Sequence, residues 1–245
     1  LIHVKAGDRR KRYSEGMLEV VPEIRHPLAE LSRIVAPPAG FEHPVLRLMP
    51  DRVQDLVRSH GQWRSLVGGV SAMGRGAVGF VTDGALAAVD CKTMAAVGLH
   101  GKGSMFGWET SLTSTSRPVR LLALIEARWI EIDGEALASL MGQTWIEHIF
   151  ARHALDRLAR LQAEAACNAV HQVPQRAANW IRRLHDIAGP ELRTTQASLA
   201  EAMGVQRTSV NAAVKALERD GALCVSRGRL TVIDPARLRR FACGC

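Results

Sequence analysis

Between Gln206 and Lys215 the sequence reads Q-R-T-S-V-N-A-A-V-K, with polar and apolar side chains interleaved at helical spacing. Val210, Ala213, Val214 and Leu217 recur at three-to-four intervals and define one buried face of a helix. Gln206, Arg207, Thr208, Ser209, Asn211, Ala212 and Lys215 fall on the other face. A guanidinium reaches two acceptors on a guanine edge, and short hydroxyls and amides reach base edges or phosphate. An alanine methyl meets a thymine methyl, and lysine offers phosphate a point charge. The chemistry of such a face is recognition of double-stranded DNA, with a helical hairpin of no ligand as the plainer alternative.

The elements that would position this face flank it. Thr194 or Thr195 caps a preceding helix, because a hydroxyl accepts from free amides at a helix start. Leu199, Ala200 and Met203 form that helix's apolar face, and Gly204 supplies a turn of positive φ before apolar Val205. After the second helix, A-L-C-V-S alternates from Ala222, and L-T-V-I from Leu230 is β-branched. A strand–turn–strand with Arg227, Gly228 and Arg229 at its tip is predicted, and with it a winged helix-turn-helix. Residues 171–245 hold 12 Lys/Arg and 6 Asp/Glu, so about +6 of the chain's +8 lies here. That excess suits phosphate contact and counterion release. Thr195, Gln206, Arg207, Thr208, Ser209, Asn211, Ala212, Lys215, Arg227 and Arg229 are the candidate DNA-binding residues.

The C-terminal part resembles the DNA-binding end of the CRP/FNR family, the cyclic-AMP receptor and fumarate-nitrate regulator transcription factors. The resemblance lies in L-A-E-A-M-G-V-Q-R-T-S-V-N (199–211), K-A-L-E-R-D-G-A-L (215–223) and S-R-G-R-L-T-V-I-D (226–234). A-A-C-N-A-V-H (165–171), with Arg176 and Trp180, is similar to one branch of that family. The resemblance implies a homodimeric transcription regulator that places its second helix in the major groove of a palindromic site. It also implies RNA polymerase as a further partner. Thr208 stands where many members carry glutamate, so the base preference there is expected to differ.

Upstream, the chain is long enough for two domains and 47% hydrophobic, so a folded core is expected. Residues 1–16, centred on Arg9-Arg-Lys-Arg12, read as a flexible solvated tail rather than a nucleic-acid arm. Asp51 to Arg58 predicts a helix with Val53, Leu56 and Val57 inward. Between Gly61 and Gly107 stand 11 of the 21 glycines, with short apolar runs between them, which predicts antiparallel strands. Pro118 to Ile132 continues the strands with a turn near Glu126-Ala127, and Asp133 caps a short helix to Met141. A long helix is predicted from about Gln143 to Val170. Ile146, Phe150, Ala154, Leu158, Leu161 and Ala165 form its apolar stripe and the expected dimer seam. The expected fold class is α+β. A cyclic-nucleotide-binding-like antiparallel β-roll occupies 1–142, a dimerisation helix 143–170 and a winged helix-turn-helix 171–245.

The family's cyclic-nucleotide binders resemble one another in a glycine-glutamate pair followed by an arginine and a small residue. Here G-S-M-F-G-W-E-T-S-L-T-S-T-S-R-P-V (103–119) keeps Arg117 at the arginine end, but Ser104 stands where the glutamate would be and Glu109 is offset. Gly107, Glu109, Ser116 and Arg117 are the candidate effector residues for a cyclic mononucleotide, and the missing glutamate argues against that ligand. The alternatives are a ligand-independent architectural or partner-binding protein with a degenerate sensor, and a redox- or metal-responsive regulator. Cys167 and His171 stand four apart, and Cys243-Gly-Cys245 ends the sequence, but two ligands do not make a site and no metal is assigned. The family's iron–sulfur members use clustered N-terminal cysteines; Cys91 stands alone, so no iron–sulfur cluster is expected. The sequence has no phosphate loop, HExxH or GxSxG pattern, and an enzyme is not expected. No apolar run approaches twenty residues and no signal-peptide pattern opens the sequence, so neither a membrane span nor a membrane partner is expected. A cytoplasmic protein with reduced thiols follows.

Overall fold

The computed structural model describes residues 32–38, 41–72, 76–109 and 119–244. The Arg9–Arg12 tail, Ser116, Arg117 and Cys245 lie outside the described residues.

Strand β1 (Arg33–Ile34) and a 3-10 turn (Leu46–Leu48) precede helix α1 (Asp51–His60). Val53 and Val57 of α1 are fully buried, as their spacing requires. Six further strands follow: β2 (Gln62–Leu66), β3 (Val70–Ala72), β4 (Ala77–Asp90), β5 (Ala96–Gly101), β6 (Met105–Phe106) and β7 (Val119–Asp133). All pair antiparallel in the order β1-β2-β7-β4-β5, with β3 also on β7 and β6 also on β4. This is the expected roll. β4 is buried at all but Thr82 and Asp83, and β7 is buried continuously from Leu121 to Leu124, because both faces are covered there. One face packs Leu66, Leu86, Phe106, Leu121 and Trp129 together. The other presents Ala87, Val89, Leu122 and Leu124 to the C-terminal helices.

The expected turn at Glu126-Ala127 is absent. β7 runs unbroken from Val119 to Asp133, and the irregularity sits opposite, in β4, where the register shifts between Val81 and Leu86. Gly84 has φ +74°, and a Cβ there would meet the Glu126 carbonyl oxygen at 1.9 Å. The bend is therefore made by glycine on the partner strand, and a glutamate-alanine pair is left to continue the ladder.

Asp133 Oδ1 accepts the Ala136 N–H at 2.8 Å and starts α2 (Gly134–Met141). Gly142 breaks it, and α3 (Gln143–Val170) follows at 28 residues, roughly 42 Å at 1.5 Å per residue. The predicted stripe on α3 is split. Phe150 is buried by its own chain and stacks on Trp108 at 5.3 Å, with Ile149 buried beside it. Ile146 packs on the same cluster, and Ala154 and Leu161 are half-buried. Leu158 and Ala165 face outward instead, and Leu155, outside the predicted stripe, is 67% exposed. The stripe advances by four, four, four, three and four residues, about 3.8 per step against 3.6 per helical turn, so it winds around the helix and serves two faces in space.

The remaining elements are α4 (Val173–Ala188), β8 (Glu191–Leu192), α5 (Gln196–Met203), α6 (Arg207–Arg219), β9 (Leu223–Ser226), β10 (Arg229–Val232) and α7 (Pro235–Phe241). Pro174 lies in the first turn of α4, where its missing N–H costs nothing. Gly189 ends α4 at φ +81°. Ile181, Leu184, Leu199, Val210, Val214, Leu217 and Leu230 are buried in one core with the covered face of β4 and β7. Each contributes about 1.5–3 kcal/mol by leaving water.

Candidate nucleic-acid interface

Thr195 is the cap of α5. Its Oγ1 accepts the Ser198 N–H at 3.0 Å, while Thr194 is buried. α5 is eight residues long and ends at Gly204, whose φ of 64° and ψ of 37° lie in the left-handed region. The Val205 N–H returns to the Ala200 carbonyl at 3.1 Å and closes the turn. Arg176 of α4 donates to the Met203 carbonyl at 3.0 Å, so an arginine outside the motif satisfies the last turn of α5. Gln206 then opens α6 in extended geometry and makes no side-chain cap, which leaves its amide exposed.

On α6, Val210, Ala213, Val214 and Leu217 are buried as predicted. Arg207, Thr208, Ala212 and Lys215 are exposed, and Ser209 and Asn211 are half-buried at the margin. Arg207, Lys215 and Arg227 enter no ion pair among the described residues. The wing is a two-residue turn of Arg227 and Gly228, with Gly228 at φ +72° between β9 and β10. β10 also pairs with β8, Leu230 opposite Leu192. The sequence reading missed β8, because a two-residue strand after Gly-Pro carries no periodicity.

β8 changes the reading of one arginine. Arg229 Nη1 lies 3.2 Å from Glu191 Oε2, an exposed ion pair across the sheet. Arg227 extends without such a partner. Thr195, Gln196, Arg207, Ser226, Gly228 and Arg229 line a concave notch of about 260 Å³ between the two helix starts and the wing. Residues far apart in sequence thus meet on one face.

A family model for the Crp-like helix-turn-helix domain matches residues 175–241. This segment belongs to the Crp-like helix-turn-helix family. The described residues have a fold similar to that of solved CRP/FNR-family regulators. A solved structure of a CRP/FNR-family regulator from Eubacterium rectale superposes with a TM-score of 0.63 at 16% identity, covering 81% of this chain and 97% of that one. The c-di-GMP-responsive global regulator of Xanthomonas campestris gives 0.56 at 20% identity, covering 75% and 99%. A cAMP-binding regulatory protein, so described, from Silicibacter pomeroyi gives 0.55 at 22% identity, covering 82% and 94%. No curated protein matches the chain. No described helix is long and apolar enough to cross a membrane.

Of the expected effector residues, Gly107 and Glu109 are the two that are described. Gly107 is buried at φ +83°, and Glu109 is held 2.5 Å from Arg157 Nη1 of α3. Neither lines a cavity of about 570 Å³ that lies between the β5–β6 segment, α3 and α4. Lys102, His153, Arg157, Arg160 and Arg183 line it, with Asp156, Glu164 and Asp186. Arg183 is paired with Glu164 at 2.6 Å, and Lys102 and Arg160 enter no ion pair among the described residues. His100, buried at the cavity wall, is pushed down to about 3, first by burial and then by Arg157 and Arg160. Burial likewise lowers His153. The α3 arginines were legible in sequence only as a polar face, since the strand that Arg157 reaches, at Val97, is 60 residues away.

The C-terminal helices also dock on the β-roll. Arg120 of β7 pairs with Glu201 of α5 at 2.7 Å, both side chains largely shielded. A Cβ on Gly204 would lie 3.0 Å from the Ala95 Cβ, so the helix-turn-helix turn sits directly on the β4–β5 connection.

Proposed function

We propose that this protein is a homodimeric, sequence-specific DNA-binding transcription regulator. On this reading, residues up to 142 are the sensor, 143–170 the dimer helix and 171–245 the DNA-binding module. The observation that carries it is the convergence of the exposed start of α6 with an arginine-tipped wing around one notch. Arg207 reads a guanine edge, Thr208, Ser209, Asn211 and Ala212 tune neighbouring positions, and Lys215, Arg227 and Arg229 contact phosphate. Gln206 and the Thr195-capped start of α5 approach the backbone, where free amides favour an anion. Two-fold symmetry then requires two inverted half-sites about one helical turn, roughly 34 Å, apart. Selection of bound duplexes from a random pool, followed by footprinting, tests this. Arg207→Ala is expected to cost about 1–3 kcal/mol and to relax one position of each half-site. Recovery of no symmetric site would sink the reading.

The dimer seam follows the exposed face of α3. Ala151, Leu155, Leu158, Gln162, Ala165 and Ala169 are all exposed, and their alternating four-and-three spacing is that of a coiled-coil seam. Leu155 joins Leu158 at its centre, and Phe150 and Leu161 drop out of it.

A second reading concerns the effector. Lys102 and Arg160 in the 570 Å³ cavity favour an anionic ligand, a cyclic nucleotide among them. Calorimetry with cyclic AMP, cyclic GMP and c-di-GMP, on the unmutated protein and on Arg160→Ala, decides it. Absence of heat with all three removes cyclic nucleotides from consideration and leaves an effector of another class or none.

A further inference from the structure

Cys167 lies in the last turn of α3, and His171 is the residue that ends it, its N–H bonded to the Cys167 carbonyl at 2.9 Å. Far along the sequence, α7 is pinned to the core by buried Leu238 and stops where the Ala242 N–H meets the Leu238 carbonyl. The next residue is Cys243. Its sulfur lies 3.2 Å from that of Cys167, and one ligand atom from each of Cys167, His171 and Cys243 falls within 4.8 Å of the others. Both cysteines are buried, at 6% and 7% exposure, and His171 is half-buried.

We propose that Cys167, His171 and Cys243 bind one thiophilic divalent cation of the zinc class, tying the C-terminal end of the DNA-binding module to the end of α3. An ion about 2.3 Å from each sulfur and about 2.0 Å from an imidazole nitrogen holds tetrahedral sulfurs roughly 3.8 Å apart. The sulfurs need to separate by only about half an ångström, within side-chain rotation. Two thiolates neutralise a dication, so the filled site buries no net charge. The imidazole distinguishes this set from a latent disulfide, which has no use for a third ligand atom, and from a pair of inert buried thiols. Three protein ligands leave the fourth position to water or an outside donor. Binding releases the two thiol protons to solvent and requires no oxidant.

The test uses the full-length reduced protein, stripped by chelator and titrated with cobalt(II) and then zinc(II). It reads the metal directly, so its outcome is separate from that of the DNA-binding reading. One cobalt per chain is expected, with thiolate-to-cobalt charge transfer and tetrahedral ligand-field bands that zinc bleaches. Cys243→Ser is expected to weaken binding more than about 100-fold, beyond the loss typical of an outer-shell partner. His171→Ala keeps the charge-transfer band but alters the ligand-field envelope. Cys91→Ser and Cys224→Ser, at exposed thiols, leave the spectrum unchanged. Should Cys167→Ser fail to fold, Cys243→Ser near the chain end and His171→Ala at the helix end still decide. A reduced protein without cobalt bands, or a Cys243→Ser variant that keeps them at full strength, overturns the proposal.

Discussion

Arg227→Ala isolates the wing's contribution to phosphate binding. Arg227 sits at the turn beside Gly228, exposed, with no ion pair among the described residues. Its neighbour Arg229 is 3.2 Å from Glu191, with side chains 42% and 61% exposed. One phosphate contact per half-site makes two per dimer, and each contributes about 0.9 to the slope of log K against log salt. Removing both flattens the slope by about 1.8. Between 50 and 200 mM salt, the variant then loses roughly 12-fold less affinity than the unmutated protein. Arg229→Ala flattens the slope less, because Arg229 must first leave an exposed pair worth about 0–1 kcal/mol. Glu191→Gln releases Arg229 and steepens the slope. Fluorescence anisotropy on a selected duplex at five salt concentrations gives all three values. An unchanged slope for Arg227→Ala, or a larger change for Arg229→Ala than for Arg227→Ala, refutes the reasoning.

Leu158→Glu and Leu155→Glu replace exposed side chains of the single chain, so both should fold normally yet sediment as monomers. Phe150→Ala, which empties the stack on Trp108, should instead destabilise the fold by about 3–5 kcal/mol in urea titrations. A stable dimer of Leu158→Glu would place the seam elsewhere. Gly204→Ala forces a Cβ into a left-handed residue that already meets Ala95, and should cost at least about 1–2 kcal/mol by the same titration. Acid should also destabilise the protein. Burial holds His43 at about 4 and His100 at about 3, against 6.5 when unfolded. The unfolded chain therefore binds more protons, and stability is complete above pH 6.5 and falls as pH drops through that value. From pH 7 to 5.5 the pair should lose about 2.5 kcal/mol; a flat profile over that window would show that these rings protonate in the folded state. Arg120→Ala should loosen the helix-turn-helix from the roll, read as faster amide exchange across Ala200–Val205 with α6 and the wing unchanged.

The amino-acid order by itself determined the local elements wherever a periodic apolar face met a distinct stop. α1, α3, α4, α5 and α6 are of this kind, because capping residues, Gly204, Gly189 and Pro174 act within one or two turns of where they stand. The exposed face of α6 was legible for the same reason: Val210, Val214 and Leu217 define its buried side, and the remainder follows. Only the tertiary structure decided what depends on distant partners. The bend opposite Glu126 is made by Gly84 on another strand, and the stripe on α3 divides because Trp108 covers Phe150 while the described residues leave Leu158 51% exposed. Arg229 is tied by a glutamate on a strand too short to leave a pattern. Cys167 and His171 looked like two ligands without a site until the chain's end brought Cys243 against them. Such groupings are set by which surfaces pack together, and packing is a property of the whole core that no window of sequence contains.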